Sequence, residues 1–496
     1  MRARSLSVAC LAAVALTAQA APMITGWSKL WTVSNPAPGY LAEIPAYDPS
    51  THTLWVAGVR GVDVLNLATG VSVGFIDVSA HGAVNSVAIA NGIAAFAVEN
   101  TSNRALPGKV LLYDTATRSL RSGVNTFTVG ALPDMLTFTP DGGRILVANE
   151  GTPNVYGSRI GTSVPRVYGP APSDPPGSVS VIDLATNTVS TVGLAGVPES
   201  GSLIRKNTGM DFEPEYIAVS PDGRKAYVTL QEANALAILD LDALSFERIV
   251  GLGAKDFNVP GNEIDPWDNG TTSFINVAAK GLYMPDGIQT YRHGGRTYLV
   301  MANEGDFRED DEDRSTAGSL GAAAPLARLR VSNTESSPGN YYAAGARSFS
   351  IRDADGNLIY DSGSILDREA AARGIYDDGR SRDKGVEPED VALLDLGGRV
   401  YAFIGLERTT QAAIALFDIT NPYSVHFIDL IVSPGDRAPE GVKAFRGADG
   451  AYYLAFANEV SNTTSLFKLN VVPEPTSLAL LAVGLTGLLV LRHRLS

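Results

Sequence analysis

The residues with chemistry to offer in this 496-residue chain are carboxylates, and they recur in pairs. One acid follows a proline at the head of a short apolar run: Asp134, Glu215, Asp286, Glu389 and Glu440. A second closes the apolar run that returns: Glu150, Glu232, Glu304, Glu407 and Glu459, with Asp306 two residues beyond Glu304. Near the start, Glu43 and the pair Asn85 and Glu99 read as weaker copies, with Gly58 filling the remaining place. Carboxylates brought together raise one another's pKa and cannot all stay ionised without compensation. Protonation, arginine and lysine partners, or a hard cation would supply it. Calcium takes roughly six to eight oxygen ligands in flexible geometry, and Asn149, Asn303 and Asn458, each just before a glutamate, would add amide oxygens. Histidines are scarce, and His52, His81, His293 and His426 form no spaced pair, so imidazole-favouring metals do not fit. Arg308, Lys384, Arg408 and Lys443 stand close by in sequence. A purely structural ion-pair network and a bound calcium ion are therefore both open readings at this point.

The elements that must position these acids repeat. Each unit runs acid, apolar strand, turn, returning strand with its glutamate, then a third strand ending near aspartate. Pro133 to Phe138 turns at Pro140-Asp141-Gly142-Gly143, returns as Ile145 to Glu150 and continues through Ser178 to Asp183. Units headed by Glu215, Asp286, Glu389 and Glu440 follow suit, and the two weaker copies bring the number to seven. Units of this size with three or four strands predict an all-β, seven-bladed β-propeller. In a blade the first strand leaves one face and the second returns to it, so both sets of acids should ring one channel mouth. Strand character at Lys29 to Val33 predicts that this segment supplies the outer strand of the last blade and closes the ring. Segments 152–177, 254–280 and 307–347 interrupt the repeat. The acidic run 309–313 reads as a solvated loop, and 365–383 as carrying one short helix.

Composition narrows the function classes. The net charge of −14 argues against nucleic acid and anionic membrane as partners and for cations. Cys10 is the single cysteine. It lies in an amino-terminal stretch with Arg2 and Arg4, an apolar run and Ala18-Gln19-Ala20, which together predict a signal peptide over residues 1–20. A body without cysteine has no disulfide, thiolate metal site or cysteine nucleophile. Metalloprotease, nucleophile-elbow, phosphate-loop and dinucleotide motifs are absent. The three residues Asp361-Ser362-Gly363 are too short a match to a phosphatase serine to count.

Two resemblances add to this reading. Pro473-Glu474-Pro475, an apolar run from Leu478 to Leu491 and Arg492-His493-Arg494 resemble the PEP-CTERM sorting signal. That implies a sorting segment over residues 472–496, recognition by exosortase-type machinery, transient membrane contact through the carboxy-terminal helix, and display at the cell surface or extracellular matrix of a Gram-negative bacterium. The body, 21–471, is similar to the choice-of-anchor I family. It carries Ala302-Asn303-Glu304-Gly305-Asp306, Lys384-Gly385-Val386-Glu387-Pro388-Glu389, Gly405-Leu406-Glu407-Arg408, Phe417 to Pro422, Pro439-Glu440-Gly441 and Ala457-Asn458-Glu459. The family's likeness to YVTN-like and phytase-like propellers, and to atypical alkaline phosphatases, implies calcium-dependent phosphoesterase activity as one function. In that reading Arg308, Lys384 and Arg408 would supply the positive charge a phosphate needs besides metal. The other function is a non-catalytic propeller binding a divalent cation together with an extracellular ligand, matrix component or exopolysaccharide. Acids outnumber bases at the expected mouth, which favours the second.

Overall fold

The structure, a computed structural model, describes residues 21–472 apart from 36–39, 156, 158, 161–166, 169–172, 207–211 and 308–312. The expected signal peptide and carboxy-terminal helix, Arg308 and most of the acidic run lie outside the described residues.

Apolar runs too short for helices and separated by Gly, Pro and Asp turns become strands. Seven sheets of four or five strands follow one another along the chain. The first uses Ala42–Asp48, Thr53–Gly58, Gly61–Asn66 and Ser72–Asp77. The innermost strands of the next five are Val84–Ala90, Pro133–Phe138, Ile217–Val219, Ile288–His293 and Pro388–Asp395. The seventh combines Pro439–Arg446, Tyr452–Asn458 and Thr463–Val472 with Met23–Ser34, which pairs antiparallel along Thr463–Val472 and places Trp27 opposite Leu469. Each innermost strand contacts that of the next sheet, and the strand Pro439–Arg446 touches Ala42–Asp48, so the sheets stand in a closed ring.

Burial follows position in the ring. Second strands such as Thr53–Gly58 are buried throughout, because neighbouring sheets cover both faces, and they read as unbroken apolar runs. Outer strands such as Thr188–Gly193 keep polar residues in water. The aspartates that end third strands are turn anchors: Asp114 accepts from the Thr117 backbone N–H at 2.8 Å, Asp183 from Thr186 at 2.9 Å and Asp240 from Ala243 at 2.7 Å.

Strand direction places the long insertions on the face where innermost strands begin. The strand Ala254–Asp256 pairs with Lys280–Leu282, and Arg314–Thr316 pairs with Arg330–Ser332. The short helix is Ile365–Ala372. Buried ion pairs pin these segments: Arg205 to Asp313 at 2.8 Å and to Glu335 at 2.8 Å, and Arg347 to Asp367 at 3.8 Å. Asp313, expected in a solvated loop, is instead fully buried against Arg205.

Candidate cation site

The acids are aimed by a backbone device repeated around the ring. Leu132, Met284, Glu387 and Ala438 each precede the proline of a Pro-acid pair and adopt φ of 47°, 42°, 51° and 57°. Leu41, two residues before Glu43, has φ 50°. This left-handed conformation costs about 1–2 kcal/mol in a residue with a Cβ. Such strain collects at functional sites. The carbonyl it turns inward accepts the backbone N–H of the returning acid: Glu150 to Leu132 at 2.9 Å, Glu407 to Glu387 at 2.9 Å and Glu459 to Ala438 at 2.8 Å. Pairing then slips by one residue between Pro133 and Leu136, Pro388 and Val391, and Pro439 and Val442. The acid sits in that bulge, which re-aims its side chain.

Both sets of acids meet at one mouth. Glu43 feels Asp134, Glu459 and Glu99; Glu215 feels Glu150, Glu232, Asp134 and Asp286; Glu440 feels Glu407, Glu459, Asp286 and Glu43. A cavity of about 210 Å³ is lined by Glu43, Glu99, Asp134, Asp286, Glu440 and Glu459, with Arg104 as its one basic lining residue. Burial, reinforced by like charge, pushes Glu43, Glu150, Glu215, Asp286, Glu389 and Glu440 well above the usual carboxylate range. The same causes raise Asp134 to about 6 and Glu407 to about 8. The second carboxylate oxygen of Glu389, a residue 8% exposed, has no hydrogen-bond partner.

Two groups of three carboxylates place one oxygen each within 4.8 Å of the others: Glu304, Glu387 and Glu407, and Glu407, Glu440 and Glu459. They differ in what already neutralises them. In the first, the Lys384 ammonium lies 2.5 Å from Glu304 and 3.0 Å from Glu387, with Asp306 at 3.5 Å. Arg380 reaches Glu387 at 2.5 Å. Burial would strip Lys384 of its proton, but the three carboxylates outweigh it and hold the lysine charged. An ammonium thus occupies the place of a cation there. In the second group Arg408 pairs with Glu407 at 2.7 Å, and among the described residues no ion pair reaches Glu440 or Glu459.

Every acid expected at the mouth is near it. Asp306 is the most open, its side chain 45% exposed, and Glu232 lies beside Glu150 and Glu215. Lys384 and Arg408 are present but spent on carboxylates. Three expectations are corrected. The returning position of the first sheet is Val59, because Gly58 pairs with Ala42 as Asn149 pairs with Pro133. Asn149, Asn303 and Asn458 turn away from the mouth, since alternate strand residues face opposite ways: their amide nitrogens donate to Ser178 and Ser180, Ser348, and Thr463, Asn303 Oδ1 accepts from Ser350, and the amide oxygens of Asn149 and Asn458 are buried without a partner. Lys443, three residues beyond Glu440, makes no ion pair with the acids. Sequence reasoning missed Glu387 and Arg104. Glu387 was legible as the acid just before a Pro-acid pair; nothing local marks Arg104.

The ring of sheets, antiparallel except where Glu199–Ser202 pairs parallel with Ser245–Leu252, has its first strands about a common axis and defines an all-β propeller, with carboxylates at one mouth. The choice-of-anchor I domain matches residues 43–422 and the chain belongs to that family, while a PEP-CTERM protein-sorting motif matches residues 471–494. The motif marks an exported protein that exosortase-type machinery processes at the cell envelope. No curated protein matches the chain in sequence. Among solved structures, the Kuenenia stuttgartiensis hydrazine synthase is similar in fold, with a TM-score of 0.50 at 12% identity over 90% of this chain and 98% of that chain. The Cps50 (Swd1) beta-propeller domain of Myceliophteria thermophila gives 0.46 at 10% identity over 90% of this chain and all of that one.

Proposed function

We propose that the chain is an exported, surface-sorted propeller whose seven sheets are seven blades spanning 21–471, and that its carboxylate mouth binds calcium together with an acidic extracellular ligand such as an exopolysaccharide. The observation that carries this is the second carboxylate group. Glu440 and Glu459 converge on Glu407 without an ion-pair partner of their own, at the edge of a cavity walled by further acids. Calcium suits it as an oxygen-seeking ion tolerant of irregular geometry. Glu440, Glu459 and Glu407 would hold the ion, Glu389 and Asp286 would support it, and the ion would take the place of the protons that burial and crowding hold on Glu407 and Glu440. The phosphoesterase reading needs positive charge open to the substrate; Lys384 and Arg408 are already paired, and Arg104 is a single base among the acids that line the cavity.

Elemental analysis and calcium titration of the purified mature protein test this. Bound calcium is expected to fall by about one ion, or its affinity by at least roughly tenfold, in Glu440→Gln/Glu459→Gln. Glu304→Gln, next to Lys384, should leave it nearly unchanged. Equal calcium content in all three proteins would sink the assignment. Chelator-sensitive hydrolysis of p-nitrophenyl phosphate would replace binding with phosphoester chemistry.

A further inference from the structure

The channel has a second chamber. A cavity of about 370 Å³ lies on the side away from the acids, lined by the later residues of the innermost strands. Ile44, Ser86, Met135, Tyr216 and Asp390 line both this chamber and the acidic cavity, so they form the waist between the two. Asp390 is fully committed there. It accepts the backbone N–H of Val391 at 2.7 Å and of Val442 at 2.7 Å, and its charge is also met by the Tyr216 hydroxyl.

Below that waist stands Lys443. Its ammonium has no ion pair or hydrogen bond among the described residues, and Asp390 is its one charged neighbour. The side chain is solvent-accessible, yet protein surrounds it closely enough that desolvation lowers its pKa. Both follow from an ammonium that projects into a concave chamber. The walls are mixed and expose more polar than apolar surface: Ile44, Ile89, Phe138 and Leu393 stand among hydroxyls from Ser86, Thr137 and Thr139. A chamber of this volume falls in the range of small-molecule sites, and its apolar side chains beside one ammonium can hold a ligand with an apolar body and an anionic end. One cation partly desolvated by the surrounding protein attracts an anion more strongly than it would in open water.

We infer that this chamber binds a small organic monocarboxylate, its carboxylate on Lys443 and its apolar body against Phe138, Ile89 and Leu393. A phosphate or sulfate dianion fits poorly, because such groups are held by several converging donors and Lys443 is alone. The site is independent of calcium at the opposite mouth.

Calorimetric titration of the mature protein with hexanoate and benzoate tests the inference, with hexanamide, benzamide and inorganic phosphate as controls. Both carboxylates should bind, the amides at least about tenfold more weakly, and phosphate not measurably. Lys443→Met should lose carboxylate binding by a similar factor while keeping its melting temperature, and Lys443→Arg should restore most of it. Glu440→Gln should bind hexanoate normally, which separates this site from the calcium site. Equal binding of acid and amide, tighter binding of phosphate, undiminished binding in Lys443→Met, or no carboxylate binding at millimolar concentration would each overturn it.

Discussion

Glu407 belongs to both carboxylate groups, and its proton links the mouth to pH. Burial, then the charge of Glu304, raises it from 4.5 to about 8. Between those values the folded, cation-free protein holds a proton that the unfolded chain has released, so stability falls as pH rises through that window. Asp134, raised from 3.8 to about 6, acts in the same direction over its own range. Glu387 opposes them. Burial pushes it up, but Lys384 and Arg380 outweigh burial and hold it low. Its contribution is therefore present above its unfolded value and lost on acidification. The mouth carries more raised acids than lowered ones, so the melting temperature of chelated protein should drop from pH 5 to pH 8. Calcium should recover the loss at pH 8, and Glu407→Gln should flatten the profile. A level or rising profile in chelated wild-type protein would show that the acids are not crowded. At this scale the paired acids were legible because proline marks them. The asparagines beside them were misread because a motif carries no information about which side of a strand its residues face.

Among elements, the closing sheet shows most directly what polar burial does. Asp436 is 2% exposed and gathers Ser433 at 2.5 Å, Ser465 at 2.5 Å, Thr463 at 2.8 Å and Lys29 at 3.2 Å. Burial raises this carboxyl, but the hydroxyl donors and Lys29 outweigh it and bring it below the ordinary value. Removing one partner from such a set leaves several buried donors unmet. Asp436→Ala is expected to cost about 3 kcal/mol in denaturant unfolding, and Asp436→Asn, which keeps one acceptor oxygen, about half that. A cost below about 0.5 kcal/mol would mean that water reaches the site. Turns spelled Pro-Asp-Gly were readable in the sequence because their residues dictate backbone angles. The left-handed Leu132 and Ala438 were not, since neither residue type advertises positive φ. Nor was the packing of 313–347, which has no repeating period.

At the scale of the molecule, closure depends on Met23–Ser34 lying along Thr463–Val472. Removing residues 21–35 leaves that strand as a bare edge, and unpaired edges recruit other strands. The truncated protein should melt at lower temperature and self-associate on size-exclusion chromatography, and a synthetic peptide of residues 21–35 should reverse both by adding the missing strand. An unchanged monomer would show that closure is dispensable. The ring was legible because seven copies of one unit leave little choice of architecture. The waist at Tyr216 and Asp390 was not, because it joins sheets far apart in the chain.

The last described strand has a further consequence. Thr463–Val472 starts beside Asn458 and Glu459 at the acidic mouth and runs away from it, so Val472 leaves the body on the opposite side. The sorting motif begins there. Mooring to the cell by that tail would turn the carboxylates outward to the medium and the Lys443 chamber back toward the envelope. Each opening would then sample a different solution.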